Sequence, residues 1–106
     1  SKLAQQIKSF LDNAVFKNIS MDEIAERLFK SKSQIIREFK KNFGMTPYNY
    51  LLEKRFEMAK SLLCYSDKAI NEIATALNFA DEHYFSNSFK KRYALTPSNY
   101  RLKTRH

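Results

Sequence analysis

Apolar residues return every three or four positions along most of this 106-residue chain, the period of a helix with one buried face. Leu3, Ile7, Phe10, Leu11 and Ala14 share one side of a predicted helix over residues 2–16, with Lys2, Gln6 and Lys8 off it. Ser20 and Glu23 form a capping box, flanked by Ile19 and Ile24 as a hydrophobic staple, and start a second helix over 21–29. Ser31 with Gln34 caps a third over 32–43, and Gly44 closes it where a helix end wants a positive φ. Thr46-Pro47 opens the longest unbroken run, ending at Tyr65, where Leu52, Phe56, Ala59 and Leu63 form one face with Leu62 beside it. That run gives a helix about 27 Å long. After a polar connection, helices are predicted over 70–77, carrying Ile73 and Leu77, and over 82–93, capped by Asp81 with Phe85, Phe89 and Tyr93 inward. Thr96-Pro97 repeats the helix-opening signal, and a short seventh helix fades into a basic tail.

The pattern is written twice. Phe39 to Tyr50 reads FKKNFGMTPYNY and Phe89 to Tyr100 reads FKKRYALTPSNY, with seven of twelve positions identical at an offset of 50. Ahead of these, Glu23-Ile24-Ala25-x-x-Leu28 recurs as Glu72-Ile73-Ala74-x-x-Leu77 at an offset of 49. The second copy therefore carries one extra residue between its two blocks. Each copy is too short to bury a lasting core alone, so each must lean on flanking helices. Two short helices joined by a tight turn make a helix-turn-helix, with Ala25 and Ala74 at the close crossing. The expected fold is all-α: seven helices, two helix-turn-helix subdomains (1–46 and 66–106) joined by a long linker helix (47–65), in one domain.

Composition narrows the partners. A single glycine and two prolines argue against a turn-rich β fold and against long linkers. The net charge of +8 calls for an acidic partner: nucleic acid, an anionic membrane surface or an acidic protein. No apolar run is long enough to span a membrane, and the first helix is not basic enough to lie on one. Cys64, the one cysteine, reads as a buried small hydrophobe in a reducing compartment.

The motifs Ile73-Ala74, Leu77-Asn78-Phe79, Tyr84-Phe85-Ser86, Phe89-Lys90-Lys91 and Thr96-Pro97-x-x-Tyr100-Arg101, echoed in the first copy and in Tyr50-Leu51 through Arg55, Ala59 and Leu62-Leu63, resemble the DNA-binding domain of the AraC/XylS family of bacterial transcription regulators. The resemblance covers nearly the whole chain. It implies two helix-turn-helix subdomains on one long helix, and a separate sensing or dimerising domain that does not lie within these residues. It implies double-stranded DNA as partner, RNA polymerase as a further one, and a cytoplasmic location with the nucleoid as its bound state. Three positions depart from the family pattern: Asn78 and Ala94 stand where glycine is usual, and Asn87 where the second recognition helix often has Arg.

Helical arithmetic separates the faces. With Ile35, Phe39 and Phe43 inward, Ser33, Gln34, Arg37, Lys40 and Lys41 fall outside; with Phe85, Phe89 and Tyr93 inward, His83, Tyr84, Asn87, Lys90 and Lys91 do. In a helix-turn-helix the second helix enters the major groove, so these faces are the candidate readers. Arg37 matches guanine O6 and N7, Gln34 suits an adenine, Ser33 a smaller contact, and Ile36, at the edge, a thymine methyl. Asn87 suits adenine N6 and N7, with His83 and Tyr84 beside it. Lys40, Lys41, Lys90, Lys91 and Arg92 are expected on phosphates. Beyond Glu82 no acid occurs, while Arg101, Lys103 and Arg105 follow, so the tail reads as a DNA-facing end or as disorder. Arg55 fits a structural hydrogen bond as well as a phosphate.

Other functions find less support. There is no glycine-rich phosphate loop, no HExxH, no Cys–His cluster and no nucleophile–base motif, so neither an enzyme, a cofactor nor a metal is expected. The main alternative is a helical protein-interaction module using a basic face. RNA binding would need more exposed aromatic residues than Tyr84 and a few others.

Overall fold

The computed structural model describes residues 1–105. Among them the regular structure is entirely helical: α1 (Lys2–Asp12), α2 (Met21–Leu28), α3 (Lys32–Phe43), α4 (Pro47–Tyr65), α5 (Ile70–Ala76), α6 (Glu82–Tyr93) and α7 (Pro97–Thr104). The chain packs as two units, Ser1–Lys54 and Arg55 onward, and the boundary falls inside α4. Leu51, buried near the start of α4, belongs to the first core, while Phe56, Ala59 and Leu63 are buried in the second unit. Leu52, expected inward, is only half-buried. The expected apolar face holds at Phe56, Ala59 and Leu63 and departs at Leu52, where the first unit instead buries Leu51.

In the first unit α1 and α2 both pack on α3. Ile7, Leu11, Ala14, Ile24, Ala25, Ile35, Phe39 and Leu51 form the core, and each large member contributes about 1.5–3 kcal/mol by leaving water. α1 stops at Asp12 instead of running to residue 16. The Asn13 amide donates to the Ser9 carbonyl at 2.9 Å, and Ala14 N–H turns back to Leu11 O at 2.9 Å, which still buries Ala14. The Tyr50 hydroxyl donates to the Asp12 carboxylate at 2.5 Å while its ring meets Phe39 edge-on at 5.3 Å. Burial pushes the Asp12 carboxyl up, but the Tyr50 hydroxyl and the Lys8 ammonium outweigh it and hold the group below the ordinary carboxylate range.

The second unit is built on aromatic rings. Phe56 lies 5.0 Å from Phe79, 6.2 Å from Phe85 and 6.4 Å from Phe89, and Phe89 meets Tyr93 and Tyr100 edge-on. The basic end of the chain turns inward to α4. Arg101 Nε donates to Leu63 O at 3.0 Å, and its Nη2 to Ser66 O at 3.2 Å and Leu62 O at 3.5 Å. Arg105 donates to Cys64 O at 3.1 Å and Ser66 O, and pairs with Asp67 at 2.9 Å. The Leu63 and Cys64 carbonyls are among the orphan acceptors that a helix leaves at its C-terminus, and Ser66 O lies just beyond the end of α4. Neither a DNA-facing tail nor disorder describes these two arginines. Cys64 is half-buried, not fully buried as expected, since it follows Leu63 by one residue and so sits off the inner stripe of α4.

The duplication reaches the backbone. Ser31 and Asp81 are both extended N-caps, whose side chains accept from the Gln34 and Tyr84 N–H groups. Thr46 and Thr96 accept from Asn49 and Asn99 N–H at 3.2 Å each. Gly44 and Ala94 end α3 and α6 in the left-handed region, at φ 76° and 69°. Phe29 and Asn78 end the first helix of each pair the same way, at φ 56° and 62°. The residue after each bonds back identically: Lys30 N–H to Ala25 O and Phe79 N–H to Ala74 O, both at 3.0 Å. The extra residue of the second copy thus falls between this helix end and the next cap. There Phe79 enters the core beside Phe56 and Phe85, whereas Lys30 stays in solvent.

Candidate nucleic-acid interface

α3 and α6 are both 12 residues long and begin 50 residues apart. On α3 the buried positions are Ile35 and Phe39, and Ser33, Ile36, Arg37, Lys40 and Lys41 are exposed. Gln34 is half-buried, one helical step from Ile35. On α6 the buried positions are Phe85 and Phe89, and His83, Tyr84, Asn87, Lys90, Lys91 and Arg92 are exposed. Each unit therefore presents one helix whose outer face combines polar or hydrogen-bonding side chains in its first two turns with lysines in its last. Lysines in a last turn also complement the helix dipole, so they stabilise their own helices whatever they bind.

The members of these faces differ in how free they are. The side chains of Arg37, Lys40, Lys90 and Lys91 make no hydrogen bond or ion pair among the described residues. Lys41 lies in the field of Glu38. The Arg92 guanidinium sits 4.6 Å over the Phe56 ring, a cation–π contact that orients its planar fork. Tyr84 is 43% exposed, and its ring lies 6.3 Å from Phe79, so one side of it is held by the core. Asn87 Nδ2 lies 3.1 Å from His83 Nε2, one helical turn away. Lys32, the first residue of α3, pairs with Asp22 of α2 at 3.0 Å. The i, i+4 spacing of His83 and Asn87 was visible in the sequence; the stack of Arg92 on Phe56 was not, because it joins residues 36 positions apart.

No group of three or more metal-ligating side chains gathers among the described residues, and no helix there is long and apolar enough to cross a membrane.

A family model of a helix-turn-helix domain matches residues 24–103. The chain belongs to the AraC/XylS family of helix-turn-helix domains. Its similarity to relatives agrees. The HTH-type transcriptional activator RhaS of Yersinia pestis (strain Pestoides F) is 33% identical over 81 residues, covering 76% of this chain and 30% of that protein. Among solved structures, the C-terminal domain of the two-component response regulator yesN from Fusobacterium nucleatum superposes with a TM-score of 0.86 at 35% identity, covering 95% of this chain and 99% of that one. The C-terminal domain of AraT, a response regulator from Geobacillus stearothermophilus, gives 0.90 at 27% identity, covering 97% and 86%. This AraC/XylS-type domain spans about a third of the length of the curated relatives it matches. The family is one of DNA-binding transcription regulators and not of enzymes.

Proposed function

We propose that this domain is the sequence-reading part of a bacterial transcription regulator, an activator, with α3 and α6 each lying in a major groove of double-stranded DNA. The observation that carries this is the matched pair of exposed faces, repeated at one offset on two helices with equivalent caps. The activator role is supported by the likeness to RhaS. In the first unit Arg37 is the principal reader, fork-on to a guanine, with Ser33, Gln34 and Ile36 beside it. In the second, Asn87 reads adenine, flanked by His83 and Tyr84. Lys40, Lys41, Lys90 and Lys91 hold phosphates, and Arg92, stacked over Phe56, joins them through its N–H edge. The two copies on one chain let a monomer of this domain engage successive major-groove segments on one face of the duplex. A bend of the DNA follows if the readers are closer than one turn, about 34 Å. Dimerisation of the parent protein, contact with RNA polymerase and a cytoplasmic, nucleoid-associated location belong to the same reading. The domain itself performs no catalytic step.

Selection of duplexes from a random pool tests this, because it returns site length, segment spacing and preferred bases together. Arg37→Ala should lose about 1–3 kcal/mol on the selected duplex and relax preference at one base pair. Equal weakening on all sequences would make Arg37 a phosphate ligand, and no sequence-dependent duplex binding at moderate salt would favour a protein-interaction module.

A further inference from the structure

The contact between Asn87 and His83 fixes more than a distance. Asn87 Nδ2 can only donate, so at 3.1 Å the facing Nε2 of His83 must accept. An accepting Nε2 belongs to the tautomer whose proton sits on Nδ1. We infer that His83 is a positioning residue for Asn87: its Nε2 lone pair sets which way the Asn87 amide faces, so that base preference at this position depends on the protonation of His83. This rests on the reading of α6 as a groove-binding helix, given above.

The chemistry follows from the donor inventory. With one Nδ2 hydrogen held by His83, Asn87 keeps a second Nδ2 hydrogen and its Oδ1 acceptor for a base edge. That pair, donor next to acceptor, is what adenine N7 and N6 require. An imidazolium has donors on both ring nitrogens and no acceptor. It can meet Asn87 only through Oδ1, which requires the amide to turn over. The order of donor and acceptor along the amide is then reversed, and the match to adenine is lost. Both side chains are exposed, so proton and base can reach them.

Several charged groups on α6 and on the helices around it are engaged elsewhere. Asp81, the cap of α6, and Glu82 precede His83, and Lys90, Lys91 and Arg92 follow Asn87. The Asp81 carboxylate is occupied by the Tyr84 N–H at 2.7 Å. From α5 comes Glu72, whose carboxylate accepts from Ala69 N–H at 2.8 Å. From α7 come Lys103 and Arg101, the latter bound to the end of α4. From α4 come Glu57 and Lys60, with Lys60 over the Tyr93 ring.

The test uses the whole domain and a duplex selected by it, with fluorescence anisotropy at about pH 8 and about pH 5.5, which bracket the range in which histidines change charge. Duplexes carrying each base at the position read by Asn87 are compared with the same series at the position read by Arg37. The adenine preference should fall by roughly three- to tenfold on acidification, the span of one exchanged hydrogen bond, while the Arg37 position stays unchanged. His83→Ala should show a weakened adenine preference that no longer varies with pH, with the same helical content as wild type. An adenine preference equal at both pH values, or one that still varies with pH in His83→Ala, overturns the inference and leaves the groove-binding reading intact. If Asn87→Ala changes no base preference, the reading of Asn87 falls and the inference falls with it.

Discussion

Replacing Arg101 by alanine separates two roles that its charge alone cannot distinguish. The side chain closes the end of α4 with hydrogen bonds to Leu63 O, Ser66 O and Leu62 O at 3.0, 3.2 and 3.5 Å. Hydrogen bonds from a charged donor contribute about 1.5–3 kcal/mol net, and the longest of these three is marginal. Arg101 is half-buried, so water recovers part of the loss, and about 2 kcal/mol is expected for Arg101→Ala. For a chain of this size that lowers Tm by roughly 10 °C in a circular dichroism melt. Arg105 also donates to Ser66 O, so the double variant should lose less than the sum of the two single losses. Arg101→Lys keeps the charge but not the fork, and should restore less than half of the stability. DNA binding supplies the opposing measurement. A phosphate ligand adds about −0.9 to the slope of log K against log salt, whereas a helix-closing arginine adds nothing. Wild type and Arg101→Ala should therefore give parallel salt plots, measured below both melting transitions. An unchanged Tm together with a flattened slope would refute the structural assignment and return Arg101 to the DNA surface.

The remaining predictions concern helix ends and acid. Gly44 and Ala94 occupy equivalent left-handed positions, and a Cβ at Gly44 would meet nothing within 4 Å, so the cost of one is purely conformational. Gly44→Ala should destabilise by about 1 kcal/mol and Ala94→Gly should stabilise by a similar amount, read from urea midpoints at constant m. A stabilised Gly44→Ala would contradict the strain argument. Asp12, whose folded carboxyl is held below its ordinary value of 3.8, stabilises the first unit above that pH and ceases to as pH falls below it. Asp12→Asn should thus melt slightly lower than wild type at about pH 6, by less than about 1 kcal/mol for so exposed a group, and the difference should shrink as pH falls below 3.8.

The helices, their caps and the duplication were legible in the chain because they rest on local rules. Ser20, Ser31, Thr46, Asp81 and Thr96 accept from the amide three residues on, as their positions before each apolar run required. The outer faces of α3 and α6 were equally readable, since a helix with Ile35 and Phe39, or Phe85 and Phe89, buried has only one other side. Where periodicity misled at α1, the cause was local as well. α1 kept the apolar spacing of residues 2–16 but ended at Asp12, because turn bonds bury Ala14 as well as helix would.

What the chain determined by itself is therefore the set of elements, their repetition and the charge of their exposed sides, all properties of neighbours within a few residues. Tertiary structure alone decided that Arg101 and Arg105 serve the end of α4, that Arg92 rests on Phe56, and that Leu51 and Phe56 answer to different cores. Each of those outcomes depends on which groups a folded chain brings within a few ångströms. A basic side chain carries the same charge in the sequence whether it meets a phosphate, a ring or an unpaired carbonyl.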